Sequence, residues 1–168
     1  MNNEDKLKDL FRAQANKETQ LLEEEQQEDI LQVVGFLVGN EEFAVPILSV
    51  QEIVKPIEFT RVPGTPSYVL GVFNLRGNVY PLINLRAKFG LPVIKQNKDT
   101  RYIVIQHNDE VAGFVIDKLT EAVKISEKDI EPTPETLNED ANLIYGIGKQ
   151  KDRLITILKV EYLLKRAF

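Results

Sequence analysis

Residues 61–90 read RVPGTPSYVLGVFNLRGNVYPLINLRAKFG. The stretch opens with a rigid Pro-Gly-Thr-Pro turn and continues as two apolar runs joined at Arg76-Gly77-Asn78. It closes on a short helical segment that stops at Gly90. Pro63 and Pro66 restrict the backbone at the entrance, and Gly77 permits the tight reversal a hairpin needs. The local reading is strand, turn, strand, short helix. Arg76 stands beside the turn with apolar residues on both flanking runs. It is either a plainly solvated surface arginine or a cation held for a partner.

The same order recurs later in the chain. GVFNLRGNVYPLINLRAKF at 71–89 has the shape of GIGKQKDRLITILKVEYLL at 146–164: strand, basic turn, strand, short helix, in register for 19 residues. A second repeat pairs FLVGNEEFA at 36–44 with VIQHNDEVA at 104–112, each a hairpin turned at an acidic, Asn-containing loop. Hairpin, connector, hairpin and helix, performed twice, predict a mainly β protein of two small antiparallel barrels joined into one body. A single barrel would leave strands without a place.

Around this frame, residues 1–29 read differently from the rest. Leu7, Leu10 and Phe11 have helical spacing, but the stripe lapses through Gln14, Asn16 and Lys17 before Leu21 and Leu22, and residues 23–29 form a polar, acidic run. The expectation is an appended helical or disordered tail, with a short partner-docking helix at 7–11 as its alternative. From Ile30 onward the apolar runs are short and rich in Val and Ile. Residues 31–38 and 43–47 should pair across Gly39-Asn40-Glu41-Glu42. Residues 47–54, ILSVQEIV, read as one or two helical turns carrying Ile47, Val50 and Ile53 or Val54 on one side. Residues 95–99 are a polar linker, and 102–106 with 111–116 make the next hairpin. Glu131-Pro132-Thr133-Pro134 breaks the pattern, and the loop through Asn142 is polar and mobile by composition. Residues 143–147 and 154–158 form the last hairpin, and 159–167 a C-terminal helix.

Composition narrows the function classes. Hydrophobic residues at 43% and charged residues at 28% are those of a soluble globular protein. No apolar run approaches a membrane span, and MNNEDKLKDL is charged where a signal peptide would be apolar, so the expected compartment is the cytoplasm. The absence of Cys fits a reducing compartment and removes disulfides, thiolate metal sites and thiol nucleophiles. A net charge of −5 without a basic cluster argues against nucleic acid as partner. The one histidine, His107, falls in a hairpin turn where polar residues are expected for local reasons. Glu52 and Asp117 could in principle divide acid and base work, and Glu41, Glu42, Asp109 and Glu110 could face a hard cation. Isolated acids are ordinarily solvated, however, and the spacing is not that of a calcium loop. Gly64-Thr65-Pro66-Ser67 lacks the Lys of a phosphate loop. No enzyme, cofactor or metal is expected.

Four motifs carry a resemblance to a known family: NLRG at 74–77, PLINLR at 81–86, VQEI at 50–53 and Arg61-Val62-Pro63. Over residues 30–168 the chain resembles the CheW coupling proteins of bacterial chemotaxis. The resemblance implies two five-stranded SH3-like barrels intertwined as one domain, with residues 1–29 outside it. It also implies a non-catalytic scaffold that binds the cytoplasmic tips of methyl-accepting chemoreceptors and the regulatory domain of the CheA histidine kinase. The membrane would be met only through receptors, in arrays at the inner membrane. The receptor- or kinase-binding residues it implies are Ile47, Val50, Glu52, Gly71, Arg76 and Gly113, with Arg76 and Glu52 joined as an ion pair. For Val50 ordinary core packing is the competing explanation. Asn84 stands where the family commonly has Asp, which removes a charge and any salt bridge made there. The alternative function is a stand-alone small-ligand binder using the cleft between barrels; a hydrolase with dispersed carboxylates ranks third.

Overall fold

The computed structural model describes residues 3–133 and 142–165, with the side chains of its first helix described at 3–20. The chain begins with α1 (Asn3–Glu28) and then enters the hairpin β1 (Ile30–Val38) and β2 (Glu41–Pro46). A 3-10 turn (Ile47–Ser49) leads into β3 (Val50–Val54) and β4 (Phe59–Thr60). The central hairpin is β5 (Val69–Leu75) and β6 (Asn78–Asn84), followed by α2 (Leu85–Lys88). The second half supplies β7 (Arg101–His107), β8 (Glu110–Ile116), β9 (Lys118–Ser126), a 3-10 turn (Glu127–Asp129), β10 (Ile130–Pro132), β11 (Ile144–Gln150), β12 (Arg153–Leu158) and α3 (Val160–Lys165).

The strands form two sheets of six, ordered β10-β11-β12-β2-β1-β9 and β3-β7-β8-β6-β5-β4. Each sheet takes one hairpin from each half of the chain. In the first, β12 lies parallel to β2 through Thr156 and Phe43; in the second, β6 lies parallel to β8 through Leu82 and Gly113. The two halves are therefore exchanged between sheets, and the internal repeat is visible in backbone detail. Register shifts fall between Val69 and Gly71 on β5 and between Ile144 and Gly146 on β11, at matching positions. Arg76 and Lys151, which open the corresponding turns, have φ of 53° and 54°. Against the five-stranded expectation, each sheet has six strands, and one seam in each is parallel rather than antiparallel.

The core explains why the apolar runs are uninterrupted where they are. On β7, Tyr102 and Val104 point into the barrel with Phe73, Leu82 and Val115, while Ile103 and Ile105 point the other way. There they meet Phe36, Val38 and Val45 of the first sheet. A strand buried on both faces needs apolar residues at both parities, and YIVI supplies them. A separate cluster of Val33, Ala44, Val123, Ile125, Ile155 and Ile157 fills the first sheet. Phe73 of β5 reaches across to Tyr102 of β7, ring centroids 5.9 Å apart, so the second sheet is curled.

Three sequence expectations need correction. Residues 50–54 form an edge strand paired with β7, and only residues 47–49 keep a helical turn. Once the neighbouring β7 offers a free row of backbone groups, the β-branched VQEIV gains a full ladder instead of an isolated turn. Residues 118–126, which carry no strand signal in the sequence, form a nine-residue strand along β1. Its pattern is broken by Lys, Thr and Glu because it is an edge, with only Val123 and Ile125 buried among its residues. Glu131 and Pro132, expected to break the strand pattern, belong to β10, where Pro is tolerated at an edge. Residues 3–28 are helical, and α3 is described from Val160 to Lys165. Residues 134–141, most of the loop expected to be mobile, lie outside the described residues, as does the end of the expected C-terminal helix.

Candidate functional site

The β5–β6 turn has two residues, Arg76 and Gly77, with φ of 53° and 86°. Positive φ at both central positions matches the right-handed twist of the flanking strands. Asn74 Oδ1 accepts from Gly77 N at 3.1 Å and closes the turn. Arg76 is uncommon in this backbone region, which costs side-chain-bearing residues on the order of 1 kcal/mol. From there its guanidinium reaches Glu52 of β3: Nε donates to Oε2 at 3.1 Å and Nη2 to Oε1 at 2.9 Å. β3 and β5 are separated by three strands in the sheet order, so the pair closes across the curl of the barrel rather than along a ladder. Hydrogen bonding to Arg76 holds the Glu52 carboxyl below its ordinary range, against a smaller opposing effect of lost water, and raises the Arg76 guanidinium.

The turn before β3 supplies the apolar part of the site. In a 3-10 turn residues i and i+3 eclipse, so Ile47 and Val50 share a side. Val50 is half-buried and packs on the core between the sheets, while Ile47 is exposed at its margin. Leu48 points away from both and is 98% exposed. In the sequence, the signal for Leu48 is its place outside the Ile47–Val50 spacing. Val79, two residues beyond the turn glycine, is a second exposed apolar residue on this hairpin, and Leu154 occupies the same repeat position in the other.

Gly71 and Gly113 are buried and offer no side for a partner to touch. A Cβ at Gly71 would lie 2.0 Å from the Thr60 carbonyl oxygen, because Thr60 of β4 pairs with Val72 right beside the β5 bulge. A Cβ at Gly113 would lie 2.6 Å from the Phe73 ring. Both positions are explained by close packing within the second sheet.

A second arginine fixes the joint between sheets. Arg86 of α2 donates Nε to Asp117 Oδ1 at 2.9 Å and Nη2 to Oδ2 at 2.6 Å, while Asp117 Oδ2 also accepts from Gly39 N at 2.8 Å. Asp117 thus ties α2 and the end of β8 to the β1–β2 turn. Asn84 is buried and caps α2, its Oδ1 accepting from Ala87 N at 3.2 Å. The α2 helix ends with Gly90 N and Leu91 N donating to Ala87 O and Arg86 O. Glu52 and Asp117, the two carboxylates that could have shared acid and base work, are each engaged by a different arginine. Among the described residues no group of three His, Cys, Asp or Glu is placed to hold a metal ion, and no helix is long and apolar enough to cross a membrane. A cleft of about 360 Å³ lies between the α2 segment and the first sheet, lined by Phe43, Ala87, Phe89, Leu143 and Leu158.

Two interleaved sheets, an arginine-pinned hairpin and exposed apolar tips define a β scaffold that presents surfaces. Comparison with known proteins agrees. Residues 32–168 match the CheW-like domain. The chain is 62% identical to the chemotaxis protein CheW of Helicobacter pylori, over 96% of this chain and 98% of that protein. It is 35% identical to the chemotaxis protein CheW of Bacillus subtilis, over 80% of this chain and 86% of that one. The crystal structure of the scaffolding protein TtCheW from Thermoanaerobacter tengcongensis superposes with a TM-score of 0.71 at 34% identity, covering 77% of this chain and 88% of that one. The chain belongs to the CheW-like family of chemotaxis scaffold proteins. The Helicobacter alignment covers too much of the chain to omit α1, which is 26 of the 168 residues.

Proposed function

We propose that this protein is a non-catalytic coupling scaffold that joins the cytoplasmic tips of chemoreceptors to the regulatory domain of the CheA histidine kinase. In this reading it works in the cytoplasm and is recruited to receptor arrays at the inner membrane. Residues 30–168 form the working domain and 1–29 an appended segment. The observation that carries the proposal is the Arg76–Glu52 pair, which fixes the hairpin tip against the strand that follows the exposed Ile47–Leu48 turn. A conformational signal passes through an adaptor only if the adaptor does not absorb it, and a pinned, doubly cored β body meets that need. Receptor tips are helical hairpins, so an exposed apolar turn beside a charged tip suits them. Ile47 and Leu48 serve as contacts, Arg76 and Glu52 as the brace, and Val50, Gly71 and Gly113 as packing that sets the position of these elements. The test is reconstitution with purified kinase and a receptor cytoplasmic fragment. The protein should bind both and place kinase activity under receptor control. Absence of binding to either, with no effect on the kinase, overturns the reading.

A further inference from the structure

We propose that Glu121 and Arg153 form a second brace, the counterpart of Glu52 and Arg76, and that receptor control of the kinase requires both. The inference rests on the coupling reading above. The backbone carries it first. β3 and β9 are each the outermost strand of a sheet, and each is bulged at the same place. On β3 the chain takes two steps, from Val50 to Glu52, while β7 takes one, from Ile105 to Val104. On β9 it takes three steps, from Leu119 to Ala122, while β1 takes two, from Phe36 to Val34. A bulge adds one unpaired residue and re-aims the side chains beside it. Glu52 and Glu121 stand at these bulges, and Val50 and Leu119, at the step before, both pack partly buried on the core between the sheets. The second bulge is pressed tightly onto β1: a Cβ at Gly35 would lie 2.4 Å from Thr120 Oγ1.

Each glutamate meets an arginine from the hairpin across the curl of its sheet. Arg153 opens β12 at the foot of the β11–β12 turn, and β2 and β1 stand between it and β9 in the sheet order. Its Nη1 donates to Glu121 Oε1. Its Nε donates to Oε1 of Glu42 on the neighbouring β2 at 3.1 Å, and its Nη2 to Oε2 at 2.8 Å. The two arginines are not repeats of each other. Aligning 71–89 with 146–164 sets Lys151 against Arg76 and Arg153 against Asn78, so the same tie is reached from two different positions. The two contacts of Arg153 also differ in kind. The Glu42 side chain is 12% exposed, and breaking that pair would leave a charge largely out of water. The Glu121 side chain is 60% exposed, where an ion pair adds little stability. What Glu121 adds is position: it fixes the β11–β12 tip against the edge strand as Glu52 fixes the β5–β6 tip. An adaptor that relays a conformational signal between two partners has to be stiff in both sheets, and one brace stiffens one of them.

Because Glu42 keeps Arg153 anchored to β2, Glu121→Gln removes the second brace alone. The full-length variant should melt with the wild type and bind isolated kinase and receptor fragment as before, while receptor control of the kinase falls several-fold. The chain has no Cys, so spin labels on Asp152→Cys and Lys118→Cys report the tip against β9 without background. Their distance distribution should broaden when Glu121→Gln is added. An unchanged distribution, or full kinase control in Glu121→Gln beside a wild type that couples, overturns the second brace. So does a lowered melting temperature, which would make Glu121 a stabilising residue instead. A wild type without kinase control overturns the coupling reading itself and the role assigned here with it, whereas the label distances judge the tie in either case.

Discussion

Arg76 holds a backbone conformation that Gly or Asn would adopt at lower cost, and its guanidinium is spent on Glu52. Both groups are in contact with water, so the pair's value is positional rather than stabilising. Arg76→Ala should fold with an unchanged melting temperature yet couple receptor state to kinase activity poorly in the reconstituted system. The swap Glu52→Arg with Arg76→Glu should recover part of that coupling. Should Arg76→Ala instead abolish binding to one isolated partner, and the swap help no more than either single change, Arg76 is a direct contact. The pair also has a titration signature. A carboxyl held below its ordinary range contributes while ionised, so the brace is intact at neutral pH and is lost as pH falls through the folded-state value. NMR titration of Glu52 should therefore move upward, toward an ordinary carboxylate, in Arg76→Ala.

At the scale of elements, the 3-10 turn and β3 divide contact from packing. Leu48→Asp should leave thermal stability nearly unchanged and weaken receptor binding. Val50→Asp, on the half-buried side of the same turn, should lose roughly 1–3 kcal/mol through an unpaired charge set against the core. Equal losses of binding and stability in both variants would mean that the turn is only structural. The glycines belong to a different element, the curl of the second sheet. Gly113→Ala drives a methyl into the Phe73 ring and should cost about 1–3 kcal/mol of overpacking. Gly71→Ala must push β4 away and should cost at least as much. Urea melts give both numbers, and a Gly71→Ala protein of full stability that no longer binds receptor would make the site a contact after all. The sequence pointed to these two positions through family resemblance but could not say that they are buried. Their crowding comes from Thr60 and Phe73, which lie 11 and 40 residues away along the chain.

For the whole molecule, the exchange of hairpins makes the two halves inseparable. β1–β2 and β11–β12 share one sheet although the entire second sheet lies between them in sequence. The protein should therefore unfold in one cooperative transition, and fragments cut in the linker at residues 95–99 should be unfolded alone. Two independent melting transitions would contradict this. Removal of residues 1–29 should preserve the melting transition and kinase binding, since α1 contributes no described side chain to the core. The sequence by itself determined the hairpins, the repeat, the turn at Arg76-Gly77 and the family, because these depend on residue pattern and on backbone preferences that act over a few positions. It also pointed to the partner of Arg76 through the VQEI motif. Only the tertiary structure decided that VQEI is an edge strand and that residues 118–126 pair with β1. It alone also placed Leu48 in water and Gly113 against a ring. A strand's partner, and the side of a turn left exposed, depend on which distant segment arrives beside it, and no local preference carries that information.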